Sequence, residues 1–245
     1  TDQAAGTAGM KLVERPEPPA AINDVIVQIH ASGFVPTEME WPSTWTDRRD
    51  RDRTPSIPGH ELAGVVTALG YGTTGLSVGQ RVFGLADWHR DGTLAEYVAM
   101  EARNLAPLPG DVDFTVGASL PISGLTAWQG LFEHGRLQAG QSVLVHGAAG
   151  AVGTMVTQLA REAGAYVIGT GRAADRQKAL DFGAQEGEDH LVFSRWAEFA
   201  HPLTLTLSRF CPFVLTTRLR HGQSGILGGR CRRRTWRLLV ATTRP

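Results

Sequence analysis

Three glycines at equal spacing mark the stretch of this chain that is best suited to bind a ligand. Gly147, Gly150 and Gly153 follow a short apolar run at 143–145 and precede apolar residues at helical spacing. The order of strand, glycine turn and helix is typical of a dinucleotide-binding unit. There, glycines allow a sharp turn, a close approach to a pyrophosphate and tight helix packing. The helix N-terminus adds N–H groups and partial positive charge that favour phosphate.

The spacing is G-x-x-G-x-x-G rather than the commoner G-x-G-x-x-G, and a glycine turn can also be purely structural. The strand before it and the helix after it favour nucleotide binding. The candidate phosphate-binding residues are those of the whole turn: Gly147, Ala148, Ala149, Gly150, Ala151, Val152 and Gly153.

The end of the next predicted strand, at 165–169, bears on the choice of cofactor. NAD-specific sites place an acidic residue there to hold the ribose 2′-OH, whereas this chain has Thr170 and no acid. Arg172, Arg176 and Lys178 follow, and a guanidinium can bind a 2′-phosphate through two hydrogen bonds. We therefore predict NADPH as the cofactor, with Thr170, Arg172 and Lys178 among its contacts. Arg176 and Lys178 could instead simply solvate a helix face.

The elements around the turn predict an α/β fold. Residues 143–183 read as strand, helix, strand, helix, and the two strands should be parallel. Upstream, short strands separated by Gly and Pro predict a small β-barrel-like domain, with strands near 24–30, 58–66, 78–84 and 92–98. Between them, residues 113–131 fit helices broken near Pro121, which we expect to be the domain junction.

Composition bounds the class of protein. At 245 residues, two domains are expected, and the composition is that of a soluble globular protein. No stretch could span a membrane, and the N-terminus shows no signal pattern, although the initiator Met is missing. The two cysteines, Cys211 and Cys231, form no C-x-x-C motif and indicate no secreted disulfide scaffold. These features predict a cytoplasmic protein without a membrane partner.

The net charge of zero conceals an asymmetry between the two ends of the chain. Residues 187–245 hold ten Arg, no Lys and three acids, whereas residues 1–186 hold 14 basic and 21 acidic residues. An arginine-rich end joined abruptly to a well-patterned chain is typical of a frame-shifted or mis-spliced reading. The alternative is a basic tail that binds nucleic acid, but no recognition motif accompanies the arginines.

Five motifs in order resemble the medium-chain dehydrogenase/reductase superfamily, and within it the zinc-independent quinone and enone reductases. They are Gly-His-Glu-x-Ala-Gly-Val-Val at 59–66, Val-Gly-Gln-Arg-Val at 78–82, Gly-Thr-x-Ala-Glu-Tyr at 92–97, Gly-Leu-Thr-Ala-Trp at 124–128 and His-Gly-Ala-Ala-Gly-Ala-Val-Gly at 146–153. The resemblance implies a GroES-like catalytic domain at 1–118 and the first βαβα half of a Rossmann domain at 119–186. It ends at Glu186, so the Rossmann domain looks truncated, and residues 187–245 lie outside it.

The resemblance also implies a reaction. NADPH would lie between the domains and give a hydride to a small molecule, either a quinone or an α,β-unsaturated carbonyl compound. Thr126 matches the family threonine beside the nicotinamide, and a homodimer is possible in such a family. The product proton would come from solvent or from a donor that the sequence does not identify. The alternative is a non-catalytic nucleotide-binding protein, a truncated relative.

Metal binding is not expected. Zinc-dependent members supply a Cys from the loop after the first strand together with the His of Gly-His-Glu. Here that loop, residues 32–36, has no Cys, so His60 lacks a soft partner. We predict no metal and a structural His60, with a zinc ligand as the alternative. Zinc-free members usually have Asn-Pro in this loop, whereas this chain has Val35 and Pro36, so one polar contact near the nicotinamide is missing.

Two further expectations concern surfaces. The charge run at 47–53 predicts a solvated loop, and the alternative is a lip over a substrate cleft lined by Trp41 or Trp45.

In the family, strands beyond Glu186 enclose the cofactor. We therefore expect this chain to bind NADPH weakly, to show little turnover and to expose apolar sheet edge.

Overall fold

The chain forms two compact units, Thr1–Ile122 and Ser123–Pro245. The computed structural model describes residues 6–189, 203–208, 211–215, 230–231 and 234–235. The family resemblance implies a domain boundary after residue 118, whereas these two units divide after Ile122.

The first unit is built on an antiparallel sheet of five strands in the order β4-β1-β2-β3-β5. Its strands are β1 (Asp24–Gly33), β2 (Glu61–Leu69), β3 (Arg81–Leu85), β4 (Tyr97–Glu101) and β5 (Leu105–Pro107). The first four residues of β1 are all buried. One of them is Asp24, whose carboxylate oxygens accept hydrogen bonds from Nη1 and Nη2 of Arg90 at 3.0 and 2.6 Å. This paired arrangement compensates the carboxylate for the loss of water.

A cluster of branched side chains forms the core of this sheet. Its buried members include Val25, Val27, Leu62, Val66 and Val82. Val25 and Val27 lie on one face of β1, Leu62 and Val66 share a face of β2, and Val82 joins them from β3.

The charge run lies in a loop after a short helix, α1 (Pro42–Trp45). Asp47 organises it, because its Oδ1 accepts hydrogen bonds from the backbone N–H groups of Arg49 and Arg51 at 2.7 and 3.1 Å. The hydrogen bond from the Arg51 side chain to Oδ2, together with these backbone bonds, lowers the pKa of Asp47 to about 2. Residues 48–52 are exposed, so the structure places the run at a loop surface.

Two short helices follow the strands of the first unit, α2 (Phe114–Ala118) and α3 (Pro121–Trp128), and a π-helical turn at Gln129–His134 comes next. Asp113 caps α2, because its side chain accepts a hydrogen bond from the Thr115 N–H at 2.7 Å. The predicted break near Pro121 lies between these helices. No helix in the described part of the chain is both long and apolar enough to cross a lipid bilayer.

The second unit contains a sheet in the order β10-β9-β6-β7-β8. Its strands are β6 (Ser142–His146), β7 (Tyr166–Gly171), β8 (Glu186–Asp189), β9 (Leu203–Ser208) and β10 (Cys211–Leu215). β6 and β7 are parallel, as the βαβα pattern predicts, with Ser142 opposite Tyr166. A pair of two-residue strands, β11 (Arg230–Cys231) and β12 (Arg234–Thr235), lies outside this sheet.

The sheet extends beyond the point at which the family resemblance ends. β8 continues it beside β7 in parallel, and β9 lies parallel to β6 on the other side. β10 then pairs with β9 in the antiparallel direction. Residues 203–207, in which Leu and Thr alternate, fall within β9.

Two helices pack on the parallel strands, α4 (Ala151–Glu162) and α5 (Arg176–Asp181). α4 buries Val156, Thr157 and Ala160 along one face, against a core that includes Val143 and Val167. The periodicity seen in the sequence therefore places α4 directly after the glycine turn and on the sheet.

Candidate cofactor-binding site

The turn between β6 and α4 is held by the backbone of the neighbouring strand. The N–H groups of Gly147 and Ala148 both donate to the carbonyl oxygen of Thr170, at 2.8 and 3.0 Å. Gly147 has a φ of +73°, which favours glycine, and its own carbonyl accepts the Gly150 N–H at 2.9 Å. The ends of β6 and β7 thus fix the turn that leads into α4.

At Gly153 the packing excludes a side chain more strictly than at Gly150. A Cβ atom there would lie 2.0 Å from the Gly147 carbonyl oxygen and 2.9 Å from the Ala148 Cα. At Gly150 the nearest atom to an added Cβ would be the same oxygen, at 3.2 Å. The equal spacing in the sequence therefore conceals unequal roles, and Gly153 brings the helix against the turn.

The first turn of α4 can accept an anion. Gly150 is the N-cap residue and supplies no side-chain hydrogen bond to the helix N–H groups. Gly150 and Ala151 are exposed, and Val152 is half-buried. A helix of 12 residues with an uncapped, accessible N-terminus beside a glycine turn fits a dinucleotide pyrophosphate.

Thr170 has a different role from a simple ligand contact. Its side chain is buried, and its Oγ1 lies 2.7 Å from Nδ1 of His146 at the end of β6. Its carbonyl oxygen accepts the two N–H groups of the turn. Thr170 therefore joins β7, β6 and the turn through bonds within the protein.

Arg172, the predicted ligand for a 2′-phosphate, is exposed and has a carboxylate partner. Its Nε donates to Oδ2 of Asp175 at 2.6 Å. This hydrogen bond raises the pKa of Arg172 and lowers that of Asp175, to which the exposed Lys178 also contributes. A 2′-phosphate would have to compete with Asp175 for the guanidinium. Sequence reasoning overlooked Asp175, although an acid three residues after an arginine was a visible signal.

Thr126, the predicted catalytic residue, is half-buried in α3. The start of α3 is held by Glu61, whose Oε1 accepts the Ile122 N–H at 2.7 Å. Burial raises the pKa of Glu61, while the bond from Ile122 acts in the opposite direction. Sequence reasoning missed this contact because the two residues are 61 positions apart.

His60 has a partner that the sequence did not reveal. Its Nδ1 lies 2.5 Å from Oε2 of Glu38, and both side chains are buried. The other oxygen of Glu38 accepts the Val35 N–H at 2.9 Å. Within the described ranges, no group of three or more His, Cys, Asp or Glu side chains is arranged to hold a metal ion.

Comparisons with known proteins agree with this architecture. Residues 21–110 match the alcohol dehydrogenase GroES-like domain. The quinone oxidoreductase of Rattus norvegicus is 36% identical over 169 residues, which cover 69% of this chain and 50% of that protein. The chain therefore spans about half the length of the quinone oxidoreductases that it matches.

Solved structures show the same likeness. An alcohol dehydrogenase superfamily protein from Novosphingobium aromaticivorans is 34% identical, with a TM-score of 0.69 over 75% of this chain and 56% of that one. The quinone oxidoreductase of Escherichia coli in complex with NADPH is 28% identical, with a TM-score of 0.62 over 71% of this chain and 52% of its own.

Proposed function

Because the chain belongs to the medium-chain dehydrogenase/reductase superfamily and is similar to its quinone oxidoreductases, we propose that it is an NADPH-dependent oxidoreductase that needs no zinc. Its substrates would be quinones or α,β-unsaturated carbonyl compounds. The observation that supports this most directly is the glycine turn between β6 and α4. A side chain at position 153 would clash with the Gly147 carbonyl oxygen, so only glycine lets α4 approach the turn this closely.

The cofactor contacts follow from the turn. The backbone of residues 147–153 would hold the pyrophosphate, with α4 directing its uncapped N-terminus at the negative charge. Thr170 would keep this turn in place through its carbonyl oxygen. When bound, the nicotinamide supplies a hydride, which is the reducing equivalent of the reaction.

The preference for NADPH rests on charge at the end of β7. Arg172 and Lys178 are exposed cationic side chains that follow this strand end in the sequence, and the strand end carries Thr170 in place of an acid. A 2′-phosphate can replace the Asp175 carboxylate on Arg172, because an exposed ion pair contributes little to stability. The Escherichia coli relative is a quinone oxidoreductase solved with NADPH, which supports the same choice.

The remaining roles concern the reacting end of the cofactor. Thr126 would contact the nicotinamide, and Glu61 would position the helix that carries it by holding the Ile122 N–H. The protein needs no strong acid or base for hydride delivery itself, because position and electrostatics suffice.

Binding of NADPH and NADH to the full chain tests this proposal. Calorimetry should show tighter binding of NADPH, and Arg172→Ala should weaken NADPH binding about tenfold with little effect on NADH. Arg161→Ala is the matched control, since Arg161 is an exposed arginine paired with Glu162 at the far end of α4. Equal binding of the two cofactors, or an unchanged ratio in Arg172→Ala, would refute the NADPH assignment.

Turnover is measured separately as NADPH oxidation with duroquinone and with 2-cyclohexen-1-one. Reduction of either compound supports an oxidoreductase. Tight NADPH binding with no reduction of any quinone or enone indicates instead a non-catalytic nucleotide-binding protein.

A further inference from the structure

Three aromatic rings meet in the first unit, away from the glycine turn in sequence. The ring centroid of His60 lies 4.5 Å from that of Trp88 and 5.6 Å from that of Trp41. The two indoles are 5.2 Å apart and nearly perpendicular, with an interplanar angle of 68°. In such an edge-to-face pair the two ring planes are nearly at right angles, and we call the two indoles the corner.

The ring of His60, which contacts both indoles, is held in place by a buried carboxylate, Glu38. Glu38 binds Nδ1 of His60 through one carboxylate oxygen and the Val35 N–H through the other. Glu38 therefore ties the loop after β1 to the residue that precedes β2. The ring of His60 is fixed in position, and Trp41 and Trp88 pack against it.

The two indoles are more accessible than their buried supports. Trp88 is 36% exposed and Trp41 is half-buried, whereas His60 is 2% exposed. Trp45, also considered as lining a cleft, is instead buried, and its Nε1 donates to the Met39 carbonyl at 2.8 Å. Only Trp41 and Trp88 of these three tryptophans therefore present ring surface that a ligand could reach.

The chemistry of this surface favours one kind of ligand. Indole faces are electron-rich, and they stack best on flat rings whose own π-system is electron-poor. Asp87, which precedes Trp88, is already bound by the Arg48 side chain and by the His89 N–H. The indole faces are then the recognition surface, and they suit a flat ring better than an extended aliphatic group.

We propose that Trp41 and Trp88, supported by the Glu38–His60 pair, form a stacking face for a planar, electron-poor ring. Of the two substrate classes in the proposed function, on which this inference rests, the face selects cyclic quinones over open-chain enones. Trp41 and Trp88 would contact the substrate, whereas Glu38 and His60 would act as positioning residues.

Nuclear magnetic resonance of the full chain with ¹⁵N-labelled indoles tests this directly. The probe is duroquinone, whose fully substituted ring does not readily alkylate thiols, and 3-penten-2-one is the open-chain comparison. Trp→Phe variants assign each indole signal. The signals of Trp41 and Trp88 should shift saturably with duroquinone and not with equal 3-penten-2-one, while the Trp45 signal stays in place.

Variants measure the contribution of the ring. Trp88→Ala should weaken duroquinone binding about five- to tenfold, and Trp88→Phe, which keeps an aromatic face and guards against a folding defect, should weaken it less. Tyr71→Ala is the control, because Tyr71 is an aromatic residue of the same unit that is 86% exposed and outside the cluster. It should leave binding unchanged.

The outcomes separate this inference from the proposed function. Unmoved Trp41 and Trp88 signals, or equal responses to both compounds, overturn the stacking face even if NADPH binds. Saturable shifts in these two indoles support the face even if NADPH fails to bind, in which case the cofactor assignment is the part that falls.

Discussion

The Nδ1 atom of His60 lies 2.5 Å from Oε2 of Glu38, with side chains that are 2% and 0% exposed. Removing one partner leaves a buried polar group without its hydrogen bond. We expect Glu38→Ala to lower the free energy of unfolding by about 2–3 kcal/mol. Glu38→Gln, which can still bond to His60, should cost less. Urea denaturation measures both, and equal stability of Glu38→Ala and the wild type would contradict the pairing.

The same pair bears on the zinc question. Nδ1 of His60 is engaged by Glu38, and the loop at 32–36 offers no cysteine thiolate. We expect elemental analysis of chelator-free protein to find no stoichiometric zinc in the wild type or in Glu38→Gln. One tightly held zinc per chain that disappears in His60→Ala would overturn this expectation.

A pH-dependent contribution to stability should come from Glu61. Burial raises its pKa, so the folded protein holds this proton more tightly than the unfolded chain does. The stabilisation is therefore complete below the ordinary glutamate pKa of about 4.3 and is lost as the pH rises through the raised value. Glu61→Gln stays neutral and keeps an oxygen for the Ile122 N–H. The stability of the wild type should fall relative to Glu61→Gln as the pH rises above about 4.

Asp113 provides a control of opposite sign for that experiment. Its hydrogen bonds with Thr115 lower its pKa, so its contribution is present above the ordinary aspartate value and is lost as the pH falls. Relative to Asp113→Asn, the wild type should weaken on acidification. The stability difference between the wild type and Glu61→Gln should therefore change with pH in the opposite direction to that between the wild type and Asp113→Asn. If both differences changed with pH in the same way, neither carboxyl group would account for the pH dependence of stability.

The central βαβα run could be read from the sequence because its signals are local. The glycines, the apolar run before them and the helical spacing after them all lie between residues 143 and 183, and they give β6, α4, β7 and α5 in the structure. The order of strands in the sheet is not local. The residues of β9 alternate clearly, but nothing in that alternation states that β9 pairs with β6.

The contacts that organise the candidate sites were harder to foresee, for the same physical reason. Glu38 meets His60 across 22 positions, and Glu61 meets Ile122 across 61. A single sequence shows which groups could pair but not which loops the fold brings together. The contact between Arg172 and Asp175 spans only three positions, so it was foreseeable from their closeness in the sequence.

Gly153 should tolerate no side chain. Alanine usually stabilises a helix relative to glycine by up to about 1 kcal/mol, but its Cβ here would lie 2.0 Å from a backbone carbonyl oxygen. Because backbone cannot move aside as a flexible side chain can, we expect Gly153→Ala to destabilise the protein by about 1–3 kcal/mol and to abolish NADPH binding. Thermal denaturation and calorimetry measure these effects.

Gly171→Ala, at the end of β7 in the same unit, is the control, because a Cβ at position 171 meets no atom within 4 Å. It should unfold close to the wild-type temperature. If Gly153→Ala were equally stable and bound NADPH normally, the close approach of α4 to the turn would not be required.

The pairing of Arg172 with Asp175 predicts a change in cofactor preference. Hydrogen bonding to Arg172 lowers the pKa of Asp175, so this acid is charged at neutral pH, where it occupies the guanidinium and repels a phosphate. Asp175→Asn should therefore strengthen NADPH binding about threefold, with little change for NADH. Asp181→Asn removes an exposed acid from the end of α5, the helix that follows Asp175, and should change neither affinity.

A double variant isolates the guanidinium. In Arg172→Ala there is no guanidinium at position 172 for which Asp175 and the 2′-phosphate could compete. Adding Asp175→Asn to this variant should therefore change NADPH affinity much less than it does in the wild type. Calorimetry with both cofactors on the four proteins of this cycle measures the coupling. An undiminished effect of Asp175→Asn in the Arg172→Ala background would mean that Asp175 acts through general repulsion, and that Arg172 does not hold the 2′-phosphate.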